Sequence, residues 1–253
     1  MENITQNINL SVGDVESKRA EIRTYFNATW ELYERLFDTL ASDEIFYQRP
    51  QALRHPLIFY FGHTATFFVN KLMLSKQLTQ RVNDRFESLF AIGVDEMSWD
   101  DLNDAHYDWP AVNELRDYRN QVRAIINQLI EEVEFTLPIQ WESPMWPIMM
   151  GIEHERIHLE TSSVLIRQLD MNQVRSSVLF PACTQSGAAL TNELVPVAGG
   201  TVTLGKPADH SLYGWDNEYG TAVLEVPDFS ASRYLVSNGE YLNFIEDGGY
   251  QED

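Results

Sequence analysis

The stretch Gly151 to Leu169, GIEHERIHLETSSVLIRQL, carries His154 and His158 four positions apart, with Glu155 directly after the first. On a helix, side chains at i and i+4 share one face with their Cβ atoms about 6 Å apart. That spacing lets two imidazoles ligate one ion, and neutral imidazole is the commonest metal ligand among side chains. A third histidine, His63, lies within the apolar run FYFGHTATFF. A single histidine on an apolar helix is usually a hydrogen-bonded core residue. Three on the inward faces of two bundle helices are a stronger signal, because helix-bundle cores are where metal sites are built from facing side chains. His63, His154 and His158 are therefore the candidate ligands. Ile157 and Leu159 flank His158, so the helix is expected to be mostly buried there.

His154-Glu155-Arg156-Ile157-His158 also fits H-E-x-x-H, the zinc-protease pattern in which the Glu is a general base. The extended protease pattern asks for Gly and then His further along, where this chain has Thr161 and Val164. Past Glu160 and Asp170 the next carboxylate is Glu193, beyond a change in sequence character. The core motif is present and its third ligand is not, so peptide hydrolysis is not expected. Glu153, Glu155 and Glu160 either orient an imidazole from behind or face solvent. Asp95, Glu96, Asp100 and Asp101 lack the spacing of a calcium loop. Gly199-Gly200 is a turn signal, since no Gly-Lys-Ser/Thr follows it.

Helices must position these residues. Asp14 or Ser17 caps an expected helix to about Leu40, with Ile22, Phe26, Leu32, Leu36, Phe37 and Leu40 mostly at helical spacing. A second is expected from Pro56, a favoured first-turn residue, to about Leu78. A third covers roughly Val112 to Val133, and a fourth runs from Ser143 or Pro147 to about Leu169. Four long amphipathic helices imply a four-helix bundle over about 14–176. The connection from Arg81 to Pro110 is unusually long and dense in Trp, Asp and Met. A segment of this length is expected to pack on another domain or border the site. After about Ser177 helical periodicity stops. VPVAGGTVTLGKP and AVLEVPDFSASRYLVSN read as strands and turns, followed by a short helix over 238–248. Residues 190–253 are thus expected to begin a second, mixed α/β domain without completing it.

Lys plus Arg number 18 and Asp plus Glu 38, giving a formal net charge of −20. Such a surface repels phosphate backbones and anionic membranes, which argues against nucleic-acid and membrane partners. The lone Cys183 can form no internal disulfide, and a reducing, cytoplasmic compartment is expected. The N-terminus has neither the basic start nor the apolar run of a signal peptide. The most apolar stretch, Pro56 to Leu74, is interrupted by His63, Thr64, Asn70 and Lys71 and is too polar to span a membrane.

Gly62-His63, the His154/His158 pair and YGWDNEYG (213–220) together resemble the sulfoxide synthases of thiol-histidine biosynthesis. The likeness extends through RHPLIFYFGHTATFFVNKL, FAIGVDEMSWDDLN, MGIEHERIHLETSSVLIRQ, VPVAGGTVTLGKP and SRYLVSNGEYLNFIEDGGY. It covers nearly the whole chain after about Lys18, and these stretches look most like the 5-histidylcysteine sulfoxide synthase (ovothiol) branch. The resemblance implies a DinB-like bundle joined to a formylglycine-generating-enzyme-like domain. It implies a mononuclear non-haem Fe(II) held by His63, His154 and His158, in place of the common two-His-one-carboxylate triad. It further implies an O2-dependent coupling of cysteine to the imidazole of histidine with oxygen placed on sulfur. The alternatives are the ergothioneine branch, acting on trimethylhistidine, or a catalytically incomplete metal-binding bundle. The ergothioneine branch often has Gln just before the second His of this helix, where Ile157 stands here; that departure favours unmethylated histidine. The family's catalytic tyrosine lies later in the second domain, so the role is carried onto none of Tyr213, Tyr219, Tyr234, Tyr241 and Tyr250. The residues given are expected to be an N-terminal part that binds iron but does not turn over alone.

Overall fold

A computed structural model describes residues 7–91 and 107–251, except 182, 185 and 189. The expectation for the 81–110 connection falls largely on residues 92–106, including Trp99 and the DEMSWDD cluster, and to that extent lies outside the described residues. The chain divides into two compact units: Met1–Pro181 with Ser211–Tyr213, and Ala182–His210 with Gly214–Asp253.

The first unit is helical. Helix α1 spans Val15–Phe37, α2 Leu57–Leu74, α3 Asp84–Leu89, α4 Val112–Glu132 and α5 Trp146–Ile166. Asp14 caps α1, its carboxylate accepting from the Ser17 N–H at 2.9 Å, and so satisfies a backbone donor that the first turn leaves unpaired. Helix α2 ends four residues before Leu78, and Lys76 turns the chain at φ 60°. Pro56 precedes its first turn in extended conformation and is not its first residue. Helix α5 begins at Trp146 with Pro147 in its first turn, where a missing N–H costs nothing. Helix α3 was not foreseen: Asn83 caps it, accepting from the Phe86 N–H at 3.1 Å, inside what reads in sequence as a loop.

The four long helices share one core. Ile22, Phe26, Trp30, Tyr33 and Phe37 of α1 face Phe61, Phe68 and Leu72 of α2, Leu115, Val122, Ile126 and Ile130 of α4, and Ile148, Ile152 and Leu165 of α5, all buried. The most extensive helix–helix packing is between α2 and α5. Gly151 makes it possible: a Cβ there would lie 2.1 Å from Cε1 of Phe68. Phe68 has nowhere to go, being fully buried and packed edge-on against Phe26 with ring centroids 5.6 Å apart. No helix is long and apolar enough to cross a membrane among the described residues.

The second unit holds β1 (Leu194–Val197), β2 (Gly200–Leu204), β3 (Ala222–Val226), β4 (Phe229–Ser232) and helix α6 (Asn238–Glu246). Strand β1 pairs antiparallel with β4, and β2 pairs antiparallel with β3. Ser237 caps α6 and Glu240 closes the capping box. Val202, Leu204, Val223, Leu224 and Phe244 are exposed, so this unit has little core of its own.

Gly151→Ala is expected to destabilise the first unit by about 1–3 kcal/mol through overpacking against Phe68. That cost exceeds the gain of about 1 kcal/mol that Ala brings to a helix interior. Denaturant unfolding checks it; a midpoint at or above that of the parent would show that α2 and α5 are not in close contact at this position.

Candidate metal centre

His63 comes from the middle of α2, and His154 and His158 come from α5, on the helix faces that meet. All three are buried, at 5%, 9% and 8% exposure. Their ring centroids lie 4.9 Å (63–154), 4.8 Å (63–158) and 4.4 Å (154–158) apart. One ring nitrogen from each falls within 4.8 Å of the other two, the only such His/Cys/Asp/Glu cluster among the described residues.

The hydrogen bonding of these rings determines which nitrogens can ligate. Nδ1 of His63 lies 2.7 Å from the Phe90 carbonyl oxygen. A carbonyl only accepts, so Nδ1 carries the hydrogen, and in the neutral ring Nε2 keeps its lone pair. That Nε2 faces Nε2 of His154 at 3.2 Å. Two lone pairs at that distance repel unless a proton or a cation lies between them. Nδ1 of His154 and Nδ1 of His158 are buried without a hydrogen-bond partner, which is costly for a polar atom that water cannot reach. Two nitrogens on one ion at bonds of about 2.1 Å stand roughly 3 Å apart at near-octahedral angles, so the His63–His154 pair already has a ligand-like separation.

Burial, helped by His158, His63 and Lys71, holds His154 well below the usual histidine range. Burial and His63 bring His158 down to about 3. Both rings are thus neutral near pH 7, the protonation state that metal binding requires. Aromatic side chains enclose the cluster. Phe67 stacks on His154 at 3.6 Å between centroids, Phe59 stacks on His63 at 5.3 Å, and Tyr60 lies 6.2 Å from His158. Gly62 admits the Phe90 ring, to which a Cβ would approach within 2.6 Å. This close approach brings the Phe90 carbonyl to His63, so the described start of the 81–110 connection does touch the site.

Glu155 points elsewhere. Its Oε1 accepts from Thr64 at 3.2 Å and from Arg119 at 3.1 Å, and neither Arg119 nor Glu155 is exposed. Burial pushes the Glu155 carboxyl up to about 7, against the pull of Arg119 and Thr64. Burial opposes the Arg119 charge, and Glu34 and Glu155 more than offset it. The Glu of the H-E-x-x-H pattern is therefore committed to an arginine on another helix. Glu153 accepts from the Tyr25 hydroxyl at 2.9 Å, and Glu160 is exposed. The helix is less covered near His158 than its apolar neighbours suggest, because Ile157 is 45% exposed; i−1 points about 100° away from His158. Sequence reading missed Arg119, although it sits at inward helical spacing with Leu115, Val122 and Ile126, where a charge is out of place. It also missed Phe67, which the i, i+4 spacing from His63 could have pointed to, and the Phe90 carbonyl, for which no short-range signal exists.

The DinB superfamily model matches residues 25–162, which includes all three histidines. The chain belongs to the DinB superfamily. It is similar to Ergothioneine biosynthesis protein 1 of Neurospora crassa, 28% identical over 236 residues that cover 86% of this chain and 26% of that protein. Hercynine oxygenase of Mycolicibacterium smegmatis is 32% identical over 115 residues, 44% of this chain and 26% of that enzyme. Ergothioneine biosynthesis protein 1 of Schizosaccharomyces pombe is 25% identical over 228 residues, 76% of this chain and 29% of that protein. The chain thus spans roughly a quarter of the length of the curated relatives it matches.

The buried neutral imidazoles predict how the metal-free protein responds to acid. An unfolded histidine takes up its proton near 6.5, while His158 does so only at about 3 and His154 well below 6.5. The unfolded state therefore binds more protons, and stability present above about pH 6.5 is lost as pH falls. Glu155 acts in the opposite sense between its ordinary 4.5 and about 7, where one carboxyl opposes two imidazoles. Denaturant midpoints of the metal-free chain should fall from pH 6.5 to 4.5 and more steeply below it. His154→Gln/His158→Gln should flatten this fall; an unchanged slope would mean that the rings are hydrated in the folded state.

Proposed function

We propose that His63, His154 and His158 hold a mononuclear non-haem Fe(II), and that this chain is part of an O2-dependent sulfoxide synthase joining a cysteine-type thiol to the imidazole of a histidine derivative. The observation that carries the reading is the cluster of three buried imidazoles within a DinB-superfamily match, two of them, His154 and His158, held neutral by burial. When bound, iron would activate dioxygen, and dioxygen is the oxidant both for C–S bond formation and for the oxygen placed on sulfur. The protein's part is to hold three neutral donors, which leave the charge of a divalent ion uncompensated and so favour a thiolate beside them. The Phe90 carbonyl fixes the His63 tautomer, and Phe59, Phe67 and Tyr60 exclude water from one side of the cluster.

The names of the relatives, ergothioneine biosynthesis protein and hercynine oxygenase, support trimethylhistidine as the imidazole substrate over the unmethylated histidine that the sequence reading put first. The ovothiol-type reading keeps one observation, the exposed Ile157 where the ergothioneine branch often has Gln. We read the helices of about 14–176 as a DinB-like four-helix bundle, and 190–253 as the start of a formylglycine-generating-enzyme-like domain. The single cysteine and the net charge of −20 support a cytoplasmic location and small-molecule substrates over nucleic-acid or membrane partners.

Anaerobic reconstitution with Fe(II) should give an iron-to-chain ratio near unity, and His63→Ala, His154→Ala and His158→Ala should each abolish stoichiometric loading. Trimethylhistidine and histidine should then be offered in competition, with cysteine and oxygen, to this chain and to a longer version. Mass spectrometry is expected to show the sulfoxide of trimethylhistidine in excess. Dominant 5-histidylcysteine sulfoxide would restore the ovothiol reading, and an iron content unaffected by the histidine variants would remove the metal site altogether.

A further inference from the structure

Arg119 and Glu155 lie fully buried beside the histidines, and neither is needed to hold an ion. A buried ion pair is a poor stabiliser, since the desolvation of two charges cancels much of their attraction. What distinguishes this pair is the number of helices it joins. From α4, Nη1 of Arg119 donates to the Phe61 carbonyl at 2.6 Å and to the Thr64 hydroxyl at 2.8 Å, both on α2. Nη2 donates to Glu155 on α5 at 3.1 Å, and Nε donates to Glu34 on α1 at 2.5 Å. Phe61 and Thr64 bracket His63, and Glu155 directly follows His154. Thr64 also donates to Glu155 at 3.2 Å. Two successive residues of α2, His63 and Thr64, therefore meet two successive residues of α5, His154 and Glu155, at the same level.

We infer that Arg119 is a positioning residue for the metal centre: by tying Phe61 and Thr64 to Glu155 it fixes the rotation and separation of α2 and α5, and through them the distance between His63 and His154. The planar guanidinium suits this role because its donors are rigidly arranged. Any roll or slide of α5 that shifts His154 away from His63 also stretches the Glu155 contacts. The aromatic walls cannot do the same, because ring stacking is tolerant of sliding, whereas hydrogen bonds weaken steeply as they bend. This inference rests on the three histidines holding a metal.

The test uses Co(II) as a spectroscopic probe of ligand geometry, with thermal melting as the control for folding. Arg119→Met/Glu155→Met removes both charges together and leaves neither buried alone, so the fold should survive. That variant is expected to bind Co(II) at least about 10-fold more weakly than the parent, the scale seen when the support of a ligand is lost, with displaced visible absorption bands. Glu155→Gln keeps an acceptor oxygen for Arg119 and Thr64 and should retain the parent spectrum. A folded double variant with parental affinity and spectrum overturns the positioning role. If the double variant does not fold, Arg119→Lys decides, because a single ammonium cannot reach all four partners: displaced bands support the role and parental bands overturn it. If the parent binds no Co(II), or His63→Ala binds it equally well, the metal reading itself falls and the inference falls with it.

Discussion

The close approach of α2 and α5 is the constraint on which the rest of the first unit depends. Gly151 lets the Phe68 ring lie where any side chain would intrude, and Gly62 does the same for the Phe90 ring. The first contact brings α2 and α5 near enough for imidazoles on opposite sides of the interface to face each other at 3.2 Å, and the second seats the Phe90 carbonyl on His63. A larger residue at 151 would hold the two helices apart, and one at 62 would displace Phe90 and with it the carbonyl that holds His63. The surrounding core of Phe26, Trp30, Phe37 and Phe61 transmits that constraint, because close-packed aromatic interiors have few voids into which strain can relax.

Within this interface, polarity is divided sharply. On one side lie the three imidazoles, of which burial keeps His154 and His158 neutral. On the other lie Arg119, Glu155, Glu34, Thr64, Tyr33 and Ser162, where Tyr33 donates to the Tyr60 carbonyl and its hydroxyl lies 3.0 Å from that of Ser162. The separation follows from helix geometry: His154 and Glu155 are consecutive, so they point about 100° apart. One arginine fork gathers the Glu34 and Glu155 carboxylates on that second side. The H-E-x-x-H pattern thereby loses its protease meaning, because its Glu is held by an arginine and a threonine and its two histidines are joined by one from a different helix.

The second unit has a different character. Its two-stranded sheets and α6 expose many apolar side chains, whereas in the first unit the long helices share a continuous core. The candidate ligands all lie in the first unit, so the placement of the imidazoles relative to one another depends on that unit alone.

The sequence by itself determined the long helices to within a few residues, since the 3.6-residue repeat of Ile22, Phe26 and Trp30 or of Leu115, Val122 and Ile126 is a local property, as are the Asp14 and Ser237 caps. It also singled out the three histidines, because residue type and i, i+4 spacing are visible without a fold. It misplaced the end of α2, where Lys76 turns the chain, and overlooked α3, which the Asn83 cap starts; both are local features that sequence reading passed over. It also read Ile157 as a sign of burial, where the direction of one side chain decided the outcome. Only the tertiary structure decided that His63 meets His154, that the Phe90 carbonyl holds His63, and that Glu155 belongs to Arg119. These are contacts between residues 27, 91 and 36 positions apart. They depend on how closely and at what rotation two helices pack, and that is set by the volumes of all the side chains between them.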